Sequence, residues 1–126
     1  MKIVKITFLS EEIYEGFYLI KGKKFLCIVF SSYEAYEMNE VIPFIITDEY
    51  EIMVSDEEIG IYSLDNNDYS YFIVGILKKF NINNSGYYVE TDDFRFKISE
   101  KNLPGDIKIG EKVEFKTGLM SLPVKN

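Results

Sequence analysis

Apolar and polar side chains alternate along most of this chain with the two-residue period of a β-strand. Val4, Ile6 and Phe8 are separated by Lys5 and Thr7. β-Branched and aromatic residues, which suit a pleated and half-buried surface, recur in short runs at 17–20, 25–30, 44–47, 50–54, 71–77, 87–90, 94–98 and 112–117. Each run predicts a strand. Lys21-Gly22-Lys23-Lys24 separates two of them as a hairpin turn, with Gly22 free to take positive φ. Asn83-Asn84-Ser85-Gly86, Asp92-Asp93 and Pro104-Gly105 predict further turns.

One segment departs from the pattern. Ser31 followed by Glu34 has the spacing of a capping box, and residues 32–41 contain neither Gly nor Pro. Pro43 would end a helix there, because the residue before a proline is pushed out of helical geometry. The spacing predicts a short helix over 32–41. Ala35, Met38 and Ile42 would pack on the sheet, and Glu34 and Glu37 would share an outward face.

The order of the elements recurs. Ile3-Val4-Lys5-Ile6 matches Ile73-Val74-Gly75-Ile76, and Gly16-Phe17-Tyr18-Leu19 matches Gly86-Tyr87-Tyr88-Val89 at the same offset. Further on, residues 46–52 line up with 109–115. Recurrence in fixed order is what a duplicated structural unit leaves behind. Each unit reads strand, strand, strand, connector, strand, strand, and in that order resembles the OB-fold, a small five-stranded Greek-key barrel. The resemblance implies a mainly β chain with two OB-like units, an acidic one at 1–64 carrying the short helix and a second at 70–122. The same strands can instead combine as a single β-barrel or sandwich in one compact domain.

Composition adds a core and a charge asymmetry. The apolar fraction of 47% and the aromatic fraction of 16% over 126 residues are enough to bury one. The net charge of −7 lies wholly in residues 1–64, where five lysines face twelve acids; in the remainder eight lysines and Arg95 balance nine acids. Between Lys24 and Lys78 there is no cation, but there are eleven acids: Glu34, Glu37, Glu40, Asp48, Glu49, Glu51, Asp56, Glu57, Glu58, Asp65 and Asp68. Such a stretch repels phosphate backbones and attracts basic partners. Cys27 is the only cysteine; it lies in an apolar run and reads as a small buried hydrophobe in a reducing compartment. Lys5 interrupts the N-terminal apolar stretch, which is too short for a secretory signal. No run approaches the roughly 18 to 20 apolar residues that span a bilayer. A cytoplasmic protein without membrane contact is expected.

Chemistry is marked by absences. Without histidine there is no Ser–His–Asp or Cys–His arrangement, and one cysteine cannot build a zinc site of the usual type. Neither a dinucleotide-binding glycine pattern nor a Walker-type Gly-Lys-Ser/Thr occurs. Asp65-Asn66-Asn67-Asp68 offers oxygen ligands, but lacks the spacing, central glycine and distal glutamate of a calcium loop. Paired carboxylates suited to glycoside hydrolysis carry no signal among twenty-one acids. No catalytic residue, metal or cofactor is expected.

Two binding readings remain. Tyrosines interleave with the acids, and tyrosine is enriched at recognition surfaces because it offers large contact area with few rotors. The leading expectation is a non-catalytic protein-binding module that docks Tyr33, Glu34, Tyr36, Glu37, Asp48, Glu49, Asp56, Glu57 and Glu58 on a basic protein. Its form is similar to that of acidic inhibitor or immunity proteins that mask the nucleic-acid cleft of a nuclease toxin. The alternative is single-stranded nucleic-acid or oligomer binding by the neutral second half through Tyr87, Tyr88, Arg95 and Lys97. The acidic half opposes phosphate contacts and makes nucleic acid the less favoured partner.

Overall fold

The computed structural model describes residues 1–64, 69–81 and 86–125. In it the alternating runs become strands β1 (Lys2–Ser10), β2 (Glu15–Lys21), β3 (Leu26–Ser31), β4 (Ile45–Ile46), β5 (Glu49–Val54), β6 (Gly60–Ser63), β7 (Tyr71–Lys79), β8 (Tyr87–Thr91), β9 (Phe94–Ile98) and β10 (Lys112–Thr117). The chain is mainly β. Its helical content among the described residues is a single 3-10 turn at Glu100–Asn102.

The strands form two sheets. The smaller is an antiparallel meander, β1-β2-β3. The larger runs β4-β9-β8-β7-β10-β5, and β6 adds to β7 beside β8. Three strands from the first half thus pair with strands of the second: β4 runs parallel to β9, while β5 and β6 run antiparallel to β10 and β7. The larger sheet ends at β4 and β5 and is not a closed barrel. The segment after β10 ties the sheets together. Phe30 N–H donates to the Met120 carbonyl at 2.8 Å, and Ile46 and Ser121 exchange two bonds at 2.9 Å.

Burial follows from strand position. β7 has neighbours on both edges, so Tyr71, Ile73, Val74 and Leu77 are all buried. Residues directly opposite one another share a face, which sets Leu77 with Val89 and Phe96, and Ile73 with Phe115. Tyr18, Ile20, Cys27 and Val29 of the smaller sheet join them in one core.

The segment 32–41 is not a helix. Tyr33 and Asn39 both hold φ of 66°, in the left-handed region that breaks a helix. Their N–H groups donate to the carbonyls of Ile13 and Ile3, and Ile3 N–H donates to the Glu40 carbonyl. A helix of ten residues is marginal in water, and hydrogen bonds to β1 and its turn displaced it. Glu40 Oε1, not Glu34, accepts from a backbone N–H of the segment, that of Glu37. The hairpin at Gly22 forms, with Lys21 opposite Leu26, but not through positive φ. Glycine is needed because a Cβ there would collide with the Asp93 carboxylate and the Phe94 ring. The turn expected at Asp92 is present, with φ of 56°. Asp65-Asn66-Asn67-Asp68 and the Asn83-Asn84-Ser85 part of another expected turn lie outside the described residues.

Candidate functional site

The acidic interval, continuous in sequence, is scattered in space. Glu49 is withdrawn from the surface, only 6% exposed. Its carboxylate accepts from the Thr47 hydroxyl at 2.6 Å, the Ser99 N–H at 2.5 Å and the Asn102 amide at 3.2 Å. Asp48 and the run Asp56, Glu57, Glu58 are exposed, but they flank opposite ends of β5. Six residues of strand hold such ends about 20 Å apart. Glu58 also lines a hollow with Lys24 and Lys112, Glu51 sits 3.8 Å from Lys116, and Glu40 sits 2.9 Å from Lys125. Lysines distant in sequence therefore reach several of these acids.

Tyr36 is buried as well. Its hydroxyl donates to the Pro123 carbonyl, its ring meets Tyr18 edge-on at 6.0 Å, and Lys125 Nζ lies 4.3 Å from its centroid. Burial, then the nearby Glu40 and Glu34 carboxylates, push its phenol up to about 12.

A different grouping emerges around Tyr33. Its N–H donates to the Ile13 carbonyl at 2.5 Å, which joins the start of the 32–41 segment to the β1–β2 turn. Tyr33 is 73% exposed at positive φ, a conformation that costs a non-glycine residue of order 1 kcal/mol or more and persists only where surrounding contacts impose it. Tyr14, in the turn, is exposed and has φ of 54°. Leu9 is 60% exposed and Phe8 also reaches solvent, because register shifts at Phe8/Ser10 leave Leu9 without an opposite partner on β2. Glu11, Glu12, Glu15 and Glu34 belong to the same end. Lysines of this sheet sit toward the other: Lys2 is opposite Lys21, and Lys5 opposite Leu19. Glu37, Met38 and Val41 continue the exposed face along the anchored segment.

Sequence reasoning found Tyr33, Glu34 and Glu37 here but missed Leu9, Glu11, Glu12, Tyr14 and Glu15. The signal was available: no cation occurs between Lys5 and Lys21, while three acids do.

On the larger sheet, Tyr87 and Tyr88 point to opposite faces, as adjacent strand residues must. Tyr87 packs at the core margin. Tyr88 lies directly opposite Lys78 on one side and Lys97 on the other, with Arg95 Cζ 5.3 Å from its ring centroid. Among the described residues no group of acidic and thiol side chains is arranged to hold a metal ion, and no helix is long and apolar enough to cross a membrane. No protein-family model matches this chain, and no curated protein or solved structure matches it either.

Proposed function

We propose that this chain is a non-catalytic protein-binding module that docks the acidic, aromatic end of its smaller sheet on a basic partner protein. The observation that supports the reading is the Tyr33–Ile13 hydrogen bond, which sets Leu9, Tyr14 and Tyr33 among Glu11, Glu12, Glu15 and Glu34, beside which Lys125 is already engaged by the Ala35 carbonyl and Glu40. Acids steer encounter, and rigid aromatics supply desolvated anchors. Because the segment is held at Tyr33, Tyr36, Asn39 and Glu40, little ordering entropy is lost on binding. One form of such a module is a cytoplasmic inhibitor or immunity protein that covers the cationic cleft of a nuclease toxin, whose phosphate-binding surface has the complementary sign.

The test compares proteins retained by the wild-type chain with those retained by Glu11→Lys/Glu12→Lys and by Tyr33→Ala, at low and high salt. From about 0.01 M to 1 M the Debye length falls from about 30 to about 3 Å. A basic partner should be retained at low salt, released as salt rises, and lost with the double charge reversal. Tyr33→Ala should weaken it by about tenfold at every salt concentration. Retention indifferent both to salt and to these substitutions would remove the proposal.

A further inference from the structure

The cation–aromatic cluster on the outer face of the larger sheet is separate from the acidic end and has a chemistry of its own. The parallel pairing of β4 with β9 carries Phe44 across from the first half of the chain and sets its ring 5.5 Å from Lys97 Nζ. Phe80, just past β7, packs between Phe44 and Tyr88, with centroids 5.7 and 4.6 Å away. These three rings wall a cleft of about 280 Å³ that Arg95 also lines. Lys78 pairs with Glu90 at 3.3 Å, and Glu90 is also opposite Arg95, but neither Arg95 nor Lys97 forms an ion pair among the described residues; Lys79, opposite Tyr87, belongs to the other face. In a chain of net charge −7, two cations without an ion pair against aromatic walls are an outlier. Their mutual repulsion is relieved by an anion, and the rings offer a flat face for a planar group attached to it.

We propose that this cleft binds a nucleotide unit, with the base stacked on the Phe44–Phe80 wall, which the buried Tyr88 backs, and the phosphate held by Arg95 and Lys97. A guanidinium recognises phosphate oxygens two at a time, and every base has a π-face for an aromatic platform. The unit can come as a free nucleotide or as the end of a single strand. The free form is favoured, because each further phosphate of a strand meets the negative field of the first half.

Isothermal titration calorimetry with ATP, inorganic triphosphate and a short oligothymidylate at low salt tests this. ATP should bind, with triphosphate weaker by about tenfold because it lacks the stacking contribution. Arg95→Ala, at an exposed position, should weaken ATP by about tenfold without changing the melting temperature, and Lys97→Ala should weaken ATP in the same direction. Phe44→Leu should weaken ATP by about fivefold and leave triphosphate unchanged. Oligothymidylate binding more tightly than ATP, with the same dependence on Arg95 and Phe44, supports the proposal with a strand end as the source. It is overturned if triphosphate binds as well as ATP, if neither ATP nor the oligonucleotide gives heat, or if Arg95→Ala binds unchanged.

Discussion

The Tyr36 hydroxyl donates to the carbonyl of Pro123, 87 residues further along the chain. With Lys125 over the same ring and paired to Glu40, it fastens the C-terminal segment to the 32–41 segment. Tyr36→Phe should therefore lower stability at neutral pH by about 1 kcal/mol, the net worth of one hydrogen bond. Because the folded phenol is held at about 12 against about 10 when unfolded, the unfolded chain releases the proton first. That stabilisation is complete below pH ~10 and is lost as pH rises through 12. Thermal melts from pH 9 to 12 should show the wild type falling more steeply than Tyr36→Phe.

Glu49 holds three donors in a nearly buried site. Glu49→Ala should cost about 2–3 kcal/mol, because the Thr47 hydroxyl, the Ser99 N–H and the Asn102 amide lose a charged acceptor together. Glu49→Gln, which keeps one carbonyl acceptor, should cost less. Urea unfolding with an unchanged m-value would report both as losses of native stability.

Asp93 receives the Lys23 N–H on both carboxylate oxygens, at 3.1 and 3.2 Å, with the Met1 ammonium 3.5 Å away. Burial pushes its carboxyl up, but the Lys23 hydrogen bonds and the Met1 charge outweigh that and hold it below the ordinary carboxylate value. A depressed folded pKa contributes stability that is fully present above the unfolded value of about 3.9. It is lost as pH falls below that value and through the folded one. Asp93→Asn should flatten this acid limb in melts between pH 5 and 2. Gly22→Ala should do likewise, and also lower stability at neutral pH by about 1 kcal/mol or more, because its Cβ displaces the same carboxylate.

Cys27 is 1% exposed in the core, and burial pushes its thiol well above the usual range. The native protein should resist iodoacetamide at neutral pH, because neither thiolate nor access is available. Labelling should appear with the same urea midpoint as unfolding. Cys27→Ser, which buries a hydroxyl without a partner, should cost about 1–3 kcal/mol.

Local signals were strongest where they coincided with a turn. Lys21-Gly22-Lys23-Lys24 and Asp92-Asp93 produced the hairpins they predict. The helix over 32–41 was wrong because its capping pattern is a local preference of small size. The carbonyls of Ile13 and Ile3 and the C-terminal segment are remote groups that compete for the same backbone. The tyrosines divided in the same way: Tyr33 and Tyr36 look equivalent in sequence, but one is exposed and the other clasps Pro123.

By itself, the sequence determined the strand-rich character, most strand positions, the single buried thiol and the sign of the first half's charge. Each of these follows from side-chain type and two-residue period alone. Only the tertiary structure decided which strands pair across the halves, since β4, β5 and β6 find their partners in the second. It also decided which acids remain uncompensated. Charge is read along the chain, but a field acts through space, and pairing brings Lys116 and Lys125 to Glu51 and Glu40 while leaving Glu11, Glu12, Glu15 and Glu34 gathered around Tyr33.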